Sequence, residues 1–246
     1  MTEYDEILEN YLQRRRDPHQ LSYNRDIEVP AMIKMIGPVT GKTLLDLGCG
    51  FGDHAARLIK KGAKHIIGVD ISKKMIQLAT NRKIPRTDFS VRDLDKPFPW
   101  SMESFDIAYS SLVVHYLDNL DRLFNQVYNV LKRNGIFVYS TAHPIQNMLS
   151  MKPYLISVKK KGSSYDIKGD YFDESKRDFD MGTSVGHVKM HAYTFETLMQ
   201  AALKNNFRII DYVDALPVPS AKKRSPEKYR LTTTLPTFIL FKLQKH

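Results

Sequence analysis

Residues 44–55 read Leu44-Leu45-Asp46-Leu47-Gly48-Cys49-Gly50-Phe51-Gly52-Asp53-His54-Ala55. An apolar run ends in three glycines at alternate positions, and a helix-compatible stretch follows. That order spells a strand, a tight turn and the start of a helix. Glycine has no Cβ, so a ligand can lie directly against such a turn. The helix N-terminus behind it adds free N–H groups and a positive dipole end. The next strand-like run, His65-Ile66-Ile67-Gly68-Val69-Asp70, ends in an acid. In α/β sheets ligands sit beyond the carboxyl ends of the strands, and a carboxylate there can accept two hydrogen bonds from a ribose diol. The spacing Gly-x-Gly-x-Gly departs from the Gly-x-Gly-x-x-Gly of dinucleotide binders. No pyrophosphate need be cradled.

Working outward, the 246 residues are enough for one α/β domain with a lid or insertion, and an apolar share of 42% supplies a core. The one cysteine, Cys49, excludes an internal disulfide and a cysteine-rich zinc site. A reducing cytoplasm suits that. No apolar run reaches the roughly twenty residues of a membrane span, and the acidic start, Glu3 to Glu6, does not read as a secretory signal. The net charge of +10 is spread over short groups such as Lys159 to Lys161 and Lys222 to Arg224. It reads either as a solvated basic face or as a site for a polyanion such as nucleic acid.

Along the chain, Tyr4, Ile7, Leu8, Tyr11 and Leu12 form a helical stripe that Asp17-Pro18 ends. A second short helix begins near Glu28-Val29-Pro30 and stops at Gly37-Pro38. Helices ahead of the first strand are free to roof the ligand end of the sheet, with Leu21 to Asn24 as the lid edge. Ser72 is placed to cap the helix after Asp70. Further strands are expected at Asp88 to Val91, Phe105 to Ser110 and Ile136 to Thr141, with a helix from about Asn119 to Lys132. Asp93 follows the third strand, as a turn residue or as an acceptor for an adenine amino group. Residues 144–192 lose periodicity and read as a capping insertion with short strands. A last helix, Phe195 to Asn205, precedes a strand at Phe207 to Val213, a loop from Pro217 to Pro226 and a closing strand, Thr237 to Leu243. The last two strands, joined without a helical pattern, are expected to be antiparallel neighbours. The fold class is α/β: a Rossmann-like, doubly wound, seven-stranded sheet, mostly parallel, with an antiparallel last strand. Its expected parts are an N-terminal helical lid (1–40), a core (41–143), the cap (144–192) and a C-terminal helix and strands (193–246).

With Asp46 inside the first strand, the glycine pattern resembles motif I of class I S-adenosylmethionine (SAM)-dependent methyltransferases, and the seven-stranded layout covers nearly the whole chain. Ser22-Tyr23-Asn24 before Glu28, Pro30 and Ala31, and His143-Pro144 after the fifth strand, resemble the small-molecule branch that includes the ubiquinone and menaquinone methyltransferases. The resemblance implies SAM as cofactor and S-adenosylhomocysteine as product. It implies Gly48, Cys49 and Gly50 along the methionine part, Asp46 near its amino group, and Asp70 on the ribose. Ile71 and Met75 would pack on the adenine, Asp93 and Leu94 would read its edge, and Ser110 would offer backbone near the methionyl group. Cys49 is a turn filler, because a sulfonium donor needs no protein nucleophile. Transfer from it needs chiefly alignment, with a base only where the acceptor loses a proton. His143 is the first candidate base or a wall residue, with His115, His187 and His191 behind it. Tyr11, Tyr23, His115 and His191 are candidates for the substrate wall and lid. The expected partner is a small-molecule acceptor. An RNA or protein methyltransferase and a SAM-binding protein without catalysis are the alternatives.

Overall fold

The computed structural model describes residues 3–17, 19–146, 156–181 and 186–246. Seven strands make the main sheet: β1 (Thr43–Leu47), β2 (His65–Asp70), β3 (Thr87–Val91), β4 (Phe105–Ser111), β5 (Leu131–Ala142), β10 (Phe207–Asp214) and β11 (Phe238–Lys245). Their order is β10-β11-β5-β4-β1-β2-β3. β11 lies between β5 and β10 and runs antiparallel to both, while β1 to β5 pair in parallel. This is the expected doubly wound sheet with its antiparallel last strand. Four short strands lie outside it: β6 (Ser157–Lys161) with β7 (Ser164–Lys168), and β8 (Lys176–Asp180) with β9 (His187–His191), as two antiparallel hairpins. They fall where the capping insertion was expected, although residues 147–155 and 182–185 lie outside the described residues.

Helices cover both faces. The helices α1 (Glu3–Arg16), α2 (Val29–Ile36), α3 (Asp53–Lys60), α4 (Lys73–Asn81), α5 (Leu120–Val130) and α6 (Phe195–Lys204) follow the sequence stripes closely. Leu44, Ile66, Ile107, Tyr109 and Leu58 pack with Met32 and Ile36 on one side of the sheet. Leu45, Phe124, Phe137, Tyr139 and Leu198 fill the other. Strands buried on both faces explain the continuous apolar runs in the sequence.

Three local expectations are corrected. The second helix, expected from near Glu28, is preceded by one π-helical turn, Asn24–Glu28, that runs directly into α2. α5 stops at Val130 and Leu131 already opens β5, with Asn134 at φ 61° absorbing an irregularity in the pairing. The segment after Pro217 is not all loop but carries α7 (Ala221–Arg224) and α8 (Pro226–Thr234), the latter opened by Pro226. None of these disturbs the sheet.

Candidate functional site

The glycine turn is pinned to the second strand: the N–H groups of Gly48 and Cys49 both donate to Val69 O, at 2.8 and 2.9 Å. The three glycines do different work. A Cβ on Gly48 would lie 2.1 Å from Val113 Cγ2, and one on Gly52 would meet Phe89 at 3.0 Å. A Cβ on Gly50 would meet nothing within 4 Å. Gly48 and Gly52 therefore serve packing, and Gly50 alone opens onto space. All three have positive φ (53° to 79°), the region that glycine enters without strain.

That space is a cavity of about 1720 Å³ at the carboxyl ends of the strands. A pocket for one drug-sized ligand is roughly 300–1,000 Å³, so this one has room for two ligands. Gly50, Asp70, Ile71, Met75, Asp93 and Leu94 line one end. Asp70 accepts from Gly50 N and Ser72 N, both at 2.9 Å. Burial raises its pKa against those amide bonds, which lower it, with Asp5 adding to the rise. Each oxygen keeps lone-pair capacity beyond its one amide donor. Asp93 lines the cavity and also accepts from Asp95 N at 2.9 Å, so it is a turn residue and a wall residue together. An open glycine, a carboxylate after β2 and the apolar side chains of Met75, Ile71 and Leu94 fit the ribose and adenine of SAM.

The roof comes from α1 and the π-turn. Tyr11, Tyr23, Arg15 and Asn24 line the cavity, as does Phe179 from β8. Several contacts latch α1 down, among them Lys74 Nζ donating to Asp5 O at 2.8 Å and Arg15 paired with Asp53 at 3.7 Å. Ser72 Oγ donates to Asp5 Oδ1 at 2.6 Å while also capping α4, and Tyr4 and Tyr116 share a 2.9 Å hydroxyl–hydroxyl bond. The π-turn is held through Asp26, which accepts from Ser22 N, Arg25 and Arg224. Burial alone would raise the Asp26 pKa; those donors hold it below the usual value.

Behind the turn lies a buried polar cluster. Glu28 Oε1 accepts from Ser111 Oγ at 2.7 Å and Ser140 Oγ at 2.8 Å, hydroxyls from paired positions on β4 and β5. Glu28 Oε2 stands 3.3 Å from His54 Nε2, a close charged approach without good hydrogen-bond alignment. Burial works against the Glu28 charge, yet His54 and the serines hold its pKa below the usual value. Burial also works against charge on His54, and Glu28, Asp46 and Asp53 override it, raising its pKa. His54 lines the cavity. Beside it, Asp46 accepts from Tyr109 OH at 2.8 Å, and burial pushes its pKa up to about 7.

The chain belongs by sequence and fold to one enzyme family. A crystal structure of an S-adenosylmethionine-dependent methyltransferase from Mesorhizobium loti is 30% identical, with TM-score 0.72, over 88% of this chain and 96% of that one. This protein is a member of the SAM-dependent methyltransferases. The family model described as "Methyltransferase domain" matches residues 45–139 of it. The methyltransferase is also 33% identical over 147 residues to a "Probable S-adenosylmethionine-dependent methyltransferase" of Saccharomyces cerevisiae, 56% of this chain and 48% of that one. An uncharacterized protein of Haemophilus influenzae is 34% identical over 57% of each chain. The methyltransferase thus spans about half the length of these curated relatives.

Within the methyltransferase, the expected cofactor residues Gly48, Cys49, Gly50, Asp70, Ile71, Met75, Asp93 and Leu94 converge on the cavity, as do Tyr11, Tyr23 and His115. Four others do not. Asp46 and Ser110 are buried behind the wall, with Ser110 Oγ donating to Leu47 O at 3.1 Å; Ser111, the next residue, lines the cavity. His143 is a correction: Ile145 N donates to its Nδ1 at 3.1 Å and its Nε2 faces Asp214 at 3.1 Å, so both nitrogens are used away from the cavity. Its pKa is lowered, burial outweighing Asp214. His191 is likewise committed, to Glu174 O and Asp118. His115 does line the cavity, but burial drives its pKa down to about 3, and it bonds Thr141 Oγ1 at 3.0 Å. It is a neutral wall residue. Sequence reasoning missed Glu28 and His54 as partners, although both stood in quoted motifs, because no spacing rule links them. It also missed Leu112, a cavity residue at φ 56°, where backbone strain of this kind concentrates at functional sites.

Proposed function

We propose that this protein transfers the methyl group of SAM to a small-molecule acceptor in one domain spanning residues 1–246, in the manner of the ubiquinone- and menaquinone-type branch, in a reducing, cytoplasmic setting. The observation that carries the reading is the roof: α1 and the π-turn cover the open Gly50 end of a cavity large enough for two ligands. A polymeric acceptor needs an open cleft. One basic group thought to serve such a partner is also in use, since Arg224 is bound to Asp26 at 2.6 Å.

Asp70 would accept from the ribose, Met75 and Leu94 would flank the adenine, and Gly48 to Gly50 would run along the methionine. When bound, SAM supplies a methyl group already activated by a sulfonium. The chain then has to exclude water and align the acceptor. Where the acceptor must lose a proton, His54 is the residue placed to hold it. Its Nε2 faces Glu28, which two serines fix, and its ring lines the cavity. A carboxylate beside an imidazole favours its protonated form and so strengthens the base.

The test is transfer of labelled methyl from SAM into a fractionated cell extract, with Asp70→Ala as control. Label in a small-molecule or organic-soluble fraction, lost in the variant, supports the reading. Label that RNase or protease releases overturns it, and S-adenosylhomocysteine binding with no label anywhere points to a binding protein.

A further inference from the structure

The hairpin of β6 and β7 is set apart from the methyl-transfer site: none of its residues lines the cavity. Val158 lies opposite Ile167, and Lys160 opposite Tyr165. Directly opposed residues share a face, and so do alternate pairs along a hairpin. One face therefore presents Val158, Ile167, Lys160 and Tyr165. The other carries Ser157, Lys159, Lys161, Ser164, Asp166 and Lys168. The apolar side chains are open to solvent: Val158 is 58% exposed, Tyr165 61% and Ile167 64%. A lone two-stranded hairpin is marginal in water and gains from a third surface.

Charge says which surface. The hairpin carries four lysines, Lys159, Lys160, Lys161 and Lys168, against one acid, Asp166, which Lys161 already pairs at 3.1 Å. We propose that this hairpin docks the protein on an anionic lipid bilayer. Val158 and Ile167 enter the acyl boundary, and Tyr165 sits at headgroup level, where amphipathic rings collect. Lys160 lays its stem along the apolar face with its ammonium at the surface, while Lys159, Lys161 and Lys168, on the opposite face, add longer-range attraction to the anionic surface across the thickness of the hairpin. A single-stranded nucleic acid fits the hairpin less well. Such sites use several aromatic platforms and arginine, whereas this face has one ring, no arginine and an aliphatic pair at its centre. The following hairpin contributes Phe179 and Met190 to the cavity wall, so the docking element and part of that wall belong to consecutive hairpins.

The test is co-sedimentation of the full chain with vesicles of phosphatidylcholine alone and of phosphatidylcholine mixed equally with phosphatidylglycerol, at low and high salt. We expect binding to the mixed vesicles at low salt and its loss at high salt. The triple variant Lys159→Gln, Lys160→Gln, Lys161→Gln should lower partitioning about tenfold, of which about fivefold comes from Lys160 on the docking face. The double variant Val158→Ser, Ile167→Ser should lower it on the order of a hundredfold, at about tenfold per buried side chain. Calorimetric binding of S-adenosylhomocysteine should be unchanged in both variants, which checks folding and keeps this test separate from that of the transfer reaction. Failure to bind mixed vesicles at low salt overturns the proposal, as does binding indifferent to the Val158 and Ile167 replacements. Binding of a random-sequence RNA that the lysine variant abolishes and the serine variant spares reassigns the hairpin to nucleic acid and overturns it too.

Discussion

The floor and the roof of the cavity are built in different ways. The floor consists of strand ends and the glycine turn, tied by backbone bonds such as those from Gly48 and Cys49 to Val69. The roof is attached mainly through side chains: Asp5 on Ser72, Lys74 on the Asp5 carbonyl, Tyr4 on Tyr116, Arg15 on Asp53 and Arg224 on Asp26, with Ile27 of the π-turn anchored in the core. Moving the floor means moving the sheet, whereas releasing the roof breaks mainly side-chain bonds, each worth about 0.5–1.5 kcal/mol net. Preorganisation resides in the floor, and access is governed by the roof. Glu28 joins them, since it ends the roof's π-turn and is bound to hydroxyls of β4 and β5.

The comparison can be broken at its strongest point first. Asp70→Ala should reduce S-adenosylhomocysteine affinity at least a hundredfold by calorimetry, because two hydrogen bonds to a charged acceptor, at about 1.5–3 kcal/mol each, are lost. Glu28→Ala should destabilise the fold by about 3–5 kcal/mol in chemical denaturation, since it strands His54 and two buried hydroxyls. Glu28→Gln, which can still accept from both serines, should cost clearly less. A similar cost for both would mean that the charge, not the hydrogen bonding, joins roof to floor.

Asp46 sharpens the picture through pH. Its folded pKa, about 7, stands above its ordinary 3.8, so the folded state holds the proton more tightly than the unfolded one. Its contribution is complete below about pH 4 and is lost as pH rises through about 7. At about 1.4 kcal/mol per unit, the loss is a few kcal/mol. Asp46→Asn should flatten stability measured between pH 4 and 7; an unchanged slope would put the titration elsewhere in the cluster. Gly48→Ala and Gly50→Ala form a pair with opposite readouts. The first should cost about 2–3 kcal/mol of stability through overpacking against Val113 and the left-handed backbone. The second should cost about 1 kcal/mol yet lose more cofactor affinity, because its methyl enters open space. The smallest effect is expected from His143→Gln. Methyl transfer and S-adenosylhomocysteine binding should be unchanged, with about 1 kcal/mol of stability lost; a collapse in transfer would restore His143 as a base.

The floor was legible in the sequence because its elements are local. Leu44 to Leu47 announces a buried strand, Gly48 to Gly52 a turn, Ser72 a cap and Asp70 the acid after β2, each within a few residues of its neighbours. The roof was legible only as helices before the first strand. Its fastenings join residues far apart in the chain, as Arg224 to Asp26 and Asp5 to Ser72, and periodicity carries no information about such pairs. The same limit explains His143. Its position after β5 looked right for a base, but whether a nitrogen is free depends on Asp214, which the edge strand β10 supplies from 71 residues further along the chain. His54 was visible in the first motif quoted, and only the fold could bring Glu28 against it.

The place of β11 has a consequence for how the molecule assembles. It stands between β5 and β10, although β10 precedes it in the chain. During synthesis β1 to β5 can pair as they emerge, while β10 has no strand to join until residues 238–245 have been made. Until then β5 is an open edge of buried, aromatic-rich strand, the kind of surface that recruits other chains. The rate at which the last strand slots in therefore sets how long the nascent protein stays vulnerable to aggregation, and substitutions in Phe238–Lys245 should be felt first as poor yield of folded protein.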